Sequence, residues 1–340
     1  MKPELLKLLA CPQCRGDLTL ASAPAGEAEI LTGDLRCAAC ARSFPIVAGI
    51  PRFVPDEEYA GSFGHQWLKY ARLQLDSNNG STFSRDRFYS ITEWSPENLR
   101  GRRVLDVGCG SGRFAEVALA AGADVVALDL SRAVDACREN LGASGRLDCV
   151  QGSIFELPFK DYAFDYVYCI GVIQHTPDPE RAVKSIVKKV ARGGQAGFWI
   201  YELCWKSFVG TIGFKYLLRP ITKRLSISQT ETFSIWMEAL CWPVNCVARR
   251  MGTLGRIIMR MLPVSCAHLQ GIPLRAADFR EWVRLDTFDM YSPAHDHPQR
   301  FATVARWLEE EGIAVAPRHP HGAVSITGRR PGKEAAQIAV

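Results

Sequence analysis

Residues 102–112 read Arg-Arg-Val-Leu-Asp-Val-Gly-Cys-Gly-Ser-Gly, and residues 124–130 read Asp-Val-Val-Ala-Leu-Asp-Leu. Residues 104–107 are a short apolar run of the kind a buried parallel strand needs. The turn Gly108-Cys109-Gly110-Ser111-Gly112 then lets backbone approach a ligand where side chains would collide. A helix is predicted over 114–121, ended by Gly122, and a second strand over 125–128 with Asp129 at its carboxyl end. An acid in that place can accept hydrogen bonds from ribose hydroxyls, as in dinucleotide folds. The nicotinamide fingerprint is G-x-G-x-x-G, whereas this turn reads D-x-G-x-G-x-G. Asp106, at the strand end, suits a cofactor with a cationic amino-acid portion and repels a pyrophosphate. The turn therefore favours S-adenosylmethionine over NAD.

The pattern continues on the carboxyl side. A third strand over 147–150 leads into Gln151-Gly152-Ser153-Ile154, and a fourth over 164–170 runs into Gly171 and on to His175 and Pro179. A helix is expected over 180–190, ended by Arg192-Gly193-Gly194, then a fifth strand over 196–201. Alternating strands and helices imply a doubly wound parallel sheet with its ligand at the carboxyl ends of the strands. A last helix carries Trp307 and Leu308, strands over 313–315 and 323–327 close an antiparallel edge, and the tail from Arg329 is expected to be flexible.

Every one of these elements resembles the class I S-adenosylmethionine-dependent methyltransferases, in particular the group that includes the ubiquinone and menaquinone C-methyltransferases. The resemblance covers 100–202 and resumes at 298–330. It implies an α/β, Rossmann-like, seven-stranded doubly wound methyltransferase sheet. It also implies that Asp106, Gly108, Gly110 and Gly112 line the amino-acid end of the cofactor. Asp129 and Leu130 would flank ribose and adenine, Ser153 and Ile154 would lie on the adenine side, and Ile170 beneath the methionine. Many relatives have Asp where this chain has Ser153, which implies a weaker or backbone-mediated adenine contact.

Upstream, Cys11-Pro-Gln-Cys14 and Cys37-Ala-Ala-Cys40 form two CxxC pairs separated by 22 residues. Four thiolates on two tight turns can converge tetrahedrally on one zinc, and a site closed by four protein ligands is structural rather than catalytic. A module of about 55 residues is too small to stand on its own core, so metal is expected to hold residues 1–55 together. Short strands around a loop at Pro24–Gly26 fill the interval. LLKLLACPQC, Cys37, Cys40 and SFPIVAGIPRFVP resemble the small zinc-ribbon proteins that activate tRNA and protein methyltransferases.

The chain has 340 residues, a prior of roughly two domains, and 47% hydrophobic with 23% charged residues, which excludes disorder and coiled coil. Twelve cysteines behind a charged start without a signal-peptide pattern predict a reducing, cytoplasmic setting. No apolar stretch reaches the ~18 residues of a membrane span. Residues 203–274 hold nine Lys and Arg against two Glu, a net of +7, so the rest carries −2 of the overall +5.

The domain reading is therefore a zinc ribbon at 1–55, a helical lid or lead-in at 56–100, the core at 101–202 and 298–330, and a mainly helical insertion at 203–297. In the lead-in, Gln66 and Trp67 could close a lid, or Phe63, Trp67 and Tyr70 could pack an amphipathic helix on the core. In the insertion, Pro220, Pro243 and Pro263 are expected to divide several helices. Its aromatic residues (Trp205, Phe208, Phe214, Tyr216, Trp236, Trp242) interleave with the basic ones. Such a face fits an anionic membrane, nucleic acid, a cap over an apolar substrate, or an ordinary solvated surface.

Methyl transfer is an in-line displacement that needs alignment and, for a hydroxyl or amine, a base of near-neutral pKa. His175, after the fourth strand, is in place by topology, and Asp289, Tyr291 and His295 are second candidates from a stretch dense in titratable groups. The expected acceptor is a small, apolar or lipid-linked biosynthetic intermediate, with peripheral membrane association. The alternative is an rRNA or tRNA methyltransferase using ribbon and insertion to bind RNA. The fourth strand ends Cys169-Ile170-Gly171-Val172 instead of the Asn/Asp-Pro-Pro-aromatic of base-amine enzymes, which disfavours nucleic acid. A scaffold that has lost catalysis would not need the intact turn and Asp129.

Overall fold

The chain opens with four short antiparallel strands, β1 (Leu18–Ser22), β2 (Gly33–Cys37), β3 (Ser43–Val47) and β4 (Ile50–Pro51), paired in that order. The computed structural model describes residues 1–22, 29–54, 61–203, 210–318 and 323–332, with backbone only at 61–63 and 65. The loop at Pro24–Gly26, the side chain of Phe63, and Trp205 and Phe208 lie outside the described residues.

Four helices follow: α1 (Gly61–Lys69), α2 (Asp76–Asn79), α3 (Phe83–Thr92) and α4 (Pro96–Leu99). The large sheet then begins with β5 (Arg103–Val107), α5 (Arg113–Ala120), β6 (Asp124–Asp129), α6 (Ala133–Leu141), β7 (Leu147–Gln151), β8 (Phe164–Ile170), α7 (Pro179–Val187) and β9 (Val190–Ile200). The insertion folds as α8 (Thr211–Thr222), α9 (Ile227–Ala248), α10 (Gly252–Met259) and α11 (Ala276–Tyr291). The chain returns through α12 (Phe301–Glu310), β10 (Ala314–Val315) and β11 (Val324–Arg329).

The seven strands lie in the order β10-β11-β9-β8-β5-β6-β7, parallel from β9 to β7 and antiparallel at β11 and β10. β5 has β6 on one side and β8 on the other, so the winding reverses beside it, which opens a crevice at its carboxyl end. The strands there are nearly all apolar because helices cover both faces.

The ribbon is a wall of this domain. Leu9, Leu18, Leu35 and Ile46 share one apolar cluster with Leu128, Val150 and Phe159 of the large sheet and its loops. The Phe53 amide donates to Gln151 O at 2.9 Å, and the Arg52 guanidinium bridges Gln151 Oε1 at 2.9 Å and Asp135 Oδ1 at 2.5 Å. β4 thereby runs along β7, the outer strand.

Three expectations need correction. Pro220 lies inside α8 and Pro243 inside α9, so neither divides helices. The carbonyl that Pro243 leaves unpaired, on Ala239, is on the solvent side, where water can serve it. β9 starts at Val190, with Gly193 and Gly194 inside it at a register shift: Phe164 pairs with Val190 but Tyr166 with Gln195, a bulge that absorbs them. The tail does not loosen at Arg329, because the Arg330 guanidinium donates to the carbonyls of Val187, Val190 and Glu311 at 2.8, 3.0 and 3.0 Å; the rest of the tail, 333–340, lies outside the described residues.

Candidate functional site

A cavity of about 1700 Å³ opens at the carboxyl ends of β5 and β8 and extends beneath the insertion. Its first half is built by the glycine turn. Gly108 has φ +80°, and a Cβ there would lie 2.4 Å from Val172 Cγ2. Gly110, at φ +53°, faces the Trp67 ring, so the lead-in helix α1 sits directly over the turn. The Gly110 amide donates to Asp129 Oδ2 at 2.9 Å, while the Ser131 amide and hydroxyl donate to Oδ1 at 2.9 and 2.8 Å. Asp129 thus fixes the turn and still presents its carboxylate to the cavity.

Gly108, Gly110, Asp129, Leu130, Ile154 and Ile170 all line this half. Asp106, Gly112 and Ser153 do not. Asp106 is buried beneath the turn beside Tyr168 and Asp129, and burial pushes its pKa up to about 8. Gly112 backs onto Leu141 and Cys137, and the Ser153 hydroxyl accepts from the Phe155 amide at 3.3 Å.

The second half lies under the insertion. His175 is buried, its Nδ1 3.2 Å from the His295 carbonyl, and burial followed by the nearby Lys215 holds its pKa down at about 4. Asp289, on α11, shares the wall, and burial with the neighbouring Asp286 raises its pKa to about 7. His175 and Asp289 therefore line one cavity, while Tyr291 and His295 are not in its wall. Tyr291 is fully buried, donates to Pro263 O at 3.0 Å, and meets Phe233 edge to face. His295 stacks on His297.

Several wall residues were not among the candidate site residues read from the sequence. Lys215 pairs with Asp296 at 2.8 Å and sits over Tyr201. His268 Nε2 meets Asp286 Oδ2 at 2.7 Å, and Arg87 and Arg113 reach in from α3 and α5. Arg113 directly follows the glycine turn, so its proximity was legible, but its direction depends on α3 and the insertion.

The insertion's outer face is apolar. Trp236, Leu240, Val244 and Val247 recur at helical spacing along α9 and are exposed, Trp236 by 71% and Leu240 by 74%. Leu254, Ile257 and Met261 continue the surface, with Lys223, Arg224, Arg250, Arg256 and Arg260 exposed among them. Lys215 and Arg219, counted in the basic segment, are turned inward. Ile212, Ile257 and Met261 are both exposed and part of the cavity wall, so the cavity mouth opens on this apolar face. No helix among the described residues is long and apolar enough to cross a membrane.

At the other end of the molecule, the Sγ atoms of Cys11, Cys14, Cys37 and Cys40 all lie within 4.8 Å of one another. Cys11 to Cys40 is 3.7 Å and Cys14 to Cys37 is 3.4 Å, close to the roughly 3.8 Å edge of a tetrahedron with 2.3 Å zinc–sulfur bonds. The Cys40 amide points at Cys37 Sγ from 3.5 Å, which favours a thiolate there. The cluster fits a zinc ribbon.

Residues 105–198 match a family described as a methyltransferase domain, and residues 2–49 match one described as Trm112p-like protein. The chain therefore carries a methyltransferase domain behind a Trm112p-like segment. It is 35% identical over 137 residues to the ubiquinone biosynthesis O-methyltransferase of Aromatoleum aromaticum, covering 38% of this chain and 58% of the relative. The protein of the same name from Bordetella avium is 36% identical over 142 residues, with 38% and 57% covered. The chain thus spans less than two thirds of the length of these curated relatives. A chain from the solved complex of the Haloferax volcanii Trm112 methyltransferase activator aligns over 82% of this chain and 99% of its own length, at 14% identity and a TM-score of 0.41.

Proposed function

We propose that this protein is an S-adenosylmethionine-dependent methyltransferase acting on a small, apolar or lipid-linked biosynthetic intermediate at an anionic membrane surface. The observation that carries the reading is the single cavity that starts at the glycine turn and opens through the apolar outer face of the insertion. Its volume exceeds the roughly 300–1000 Å³ of one ordinary ligand site, so cofactor and acceptor can share it.

S-Adenosylmethionine, when bound, supplies a methyl group activated on a sulfonium. The residues present fit it: Gly108 leaves a space that a Cβ would fill, and Asp129 presents a carboxylate to the cavity that would accept from ribose hydroxyls. Ile154 and Ile170 would offer apolar contact, and Trp67 covers the turn. The acceptor would enter past Ile212, Ile257 and Met261 and present a hydroxyl beneath them, the oxygen chemistry being that in the names of the curated relatives. Asp289 takes the proton of that hydroxyl. His175, kept neutral at physiological pH, orients the acceptor rather than drawing its proton. The four cysteines hold a structural zinc, which fixes the ribbon against β7 and takes no part in transfer.

The test supplies methyl-labelled S-adenosylmethionine with a bacterial membrane lipid extract or with total RNA. Label is expected in the organic-soluble fraction. Label in RNA would favour the RNA methyltransferase alternative, and no measurable cofactor binding by calorimetry would overturn the reading altogether.

A further inference from the structure

Two guanidinium groups in the cavity wall, Arg87 and Arg113, make no ion pair with any described residue; Asp286 acts on both only through space. Arg87 makes no hydrogen bond to any described residue; it stacks 4.5 Å over Trp199, and its Nε is shut off from solvent with no acceptor. Arg113 is held on two sides, Nε donating to Ser84 Oγ at 3.0 Å and Nη1 to Gln74 Oε1 at 3.1 Å, while Nη2 is buried and unmatched. Both of its partners are neutral, so they orient the charge without balancing it. Asp286 is already taken up by His268 at 2.7 Å and Gln74 at 3.3 Å. Burial, then the proximity of Arg87, draws the Arg113 pKa down to about 9, with Asp286 and Asp76 offsetting only part of the shift through space.

Chemistry on the cofactor side deepens the imbalance. S-Adenosylmethionine carries a carboxylate against an ammonium and a sulfonium, a net positive charge. Arg113 faces the insertion rather than the strand ends: its guanidinium lies 5.5 Å from the Trp282 ring of α11 and 5.4 Å from Phe83. An unpaired buried cation is costly, and a guanidinium edge with free N–H groups matches an oxyanion in charge and shape.

Building on the methyltransferase reading, we propose that Arg113, with Arg87 beside it, is an anion subsite for the acceptor. The acceptor is then an acidic amphiphile whose carboxylate or phosphate lies against these guanidinium groups while its apolar part runs toward Ile257 and Met261.

The test is calorimetric, on the full chain saturated with S-adenosylmethionine, with decanoate, decyl phosphate and uncharged decanol as probes. At least one anion should bind roughly ten- to a hundredfold tighter than decanol, the advantage of a charge-assisted hydrogen bond. Arg113→Gln should erase that advantage and leave decanol and cofactor affinities unchanged. Arg113→Lys, which keeps the charge and loses the fork, should retain part of it and serves if the glutamine variant fails to fold. Equal affinity of all three probes for the wild type would overturn the proposal. So would an Arg113→Gln variant that loosens the cofactor instead of the anion, because the guanidinium would then serve the cofactor's own carboxylate. A wild type that binds decanoate or decyl phosphate selectively but no cofactor would sink the methyltransferase reading and leave the anion subsite standing.

Discussion

Asp289 sits in the cavity wall with a pKa near 7, and a carboxyl poised there can accept a proton where an ordinary carboxylate is too weak a base. Asp289→Asn should lower kcat by about 10²–10⁴ with cofactor affinity unchanged, and wild-type kcat/KM should climb with pH and level off above about 7. The shift also has a sign in stability. An acid whose pKa is raised on folding favours the native state while protonated, so its contribution is full below the unfolded value near 4 and is lost as pH rises through about 7. Asp289→Asn should therefore melt above the wild type at pH 8, by on the order of 2 kcal/mol after allowance for cavity water, and match it near pH 4. A gap that does not change with pH would mean that Asp289 titrates normally. His175 runs the other way: its depressed pKa contributes stability above about 6.5 that is lost as pH falls through about 4. Both residues were visible in the sequence as titratable groups, but so were Tyr291 and His295. What separates them is angular. Asp286 and Asp289 are three apart on α11 and share a face, whereas Tyr291, two residues on, faces into the insertion.

At the scale of elements, the glycine turn was legible because its demands are made on the backbone: positive φ and a neighbour 2.4 Å from any added Cβ admit little else. The insertion was harder to read. Its prolines suggest breaks only if nothing compensates for the missing N–H, and on an exposed face water can. Glu238 reads in sequence as an interruption of an apolar stretch, yet it is what ties α9 to α11. Its carboxylate is fully buried, accepts from Arg280 at 2.7 and 3.1 Å, and accepts from Arg284 Nε at 3.0 Å. Glu238→Gln preserves volume but leaves two guanidinium groups facing a neutral amide. The expected loss is about 2–3 kcal/mol by chemical denaturation, below the cost of a wholly buried pair because both arginines are partly solvated. A loss under about 0.5 kcal/mol would place the cluster with surface ion pairs. Pairing between side chains some 40 residues apart leaves no periodic trace, which is why the tie was not foreseen.

On the scale of the whole molecule, the ribbon and the sheet share one apolar cluster, so the four-cysteine cluster and the crevice at the strand ends rest on the same core, which includes Cys11, Cys37, Leu128 and Val150. Cys37→Ser should lower zinc content from one per chain, measured by metal analysis, and also reduce the melting temperature of the entire chain; an independent ribbon would unfold alone. The four-cysteine cluster was readable from its spacing; Arg52 and Phe53 stand in the stretch 43–55, but nothing in that motif says that they dock the ribbon on β7. The opposite end carries the last expectation. Five exposed cations, Lys223, Arg224, Arg250, Arg256 and Arg260, ring an apolar surface that no described residue covers. Each cation near an anionic bilayer is worth about 1 kcal/mol, and exposed aromatic and aliphatic side chains add apolar insertion to that attraction. The protein should sediment with vesicles containing anionic lipid and not with neutral ones, and salt should weaken the association. Salt sensitivity alone would also fit RNA, so RNA gel shifts at matched ionic strength are the necessary comparison, and weak binding is expected there. Leu240→Glu separates the contributions: the residue is 74% exposed, so the fold should tolerate the change, but a carboxylate on that face should drive the protein off the bilayer. Retention of Leu240→Glu on anionic vesicles at wild-type levels would leave the cations alone in charge and remove the apolar face from the account.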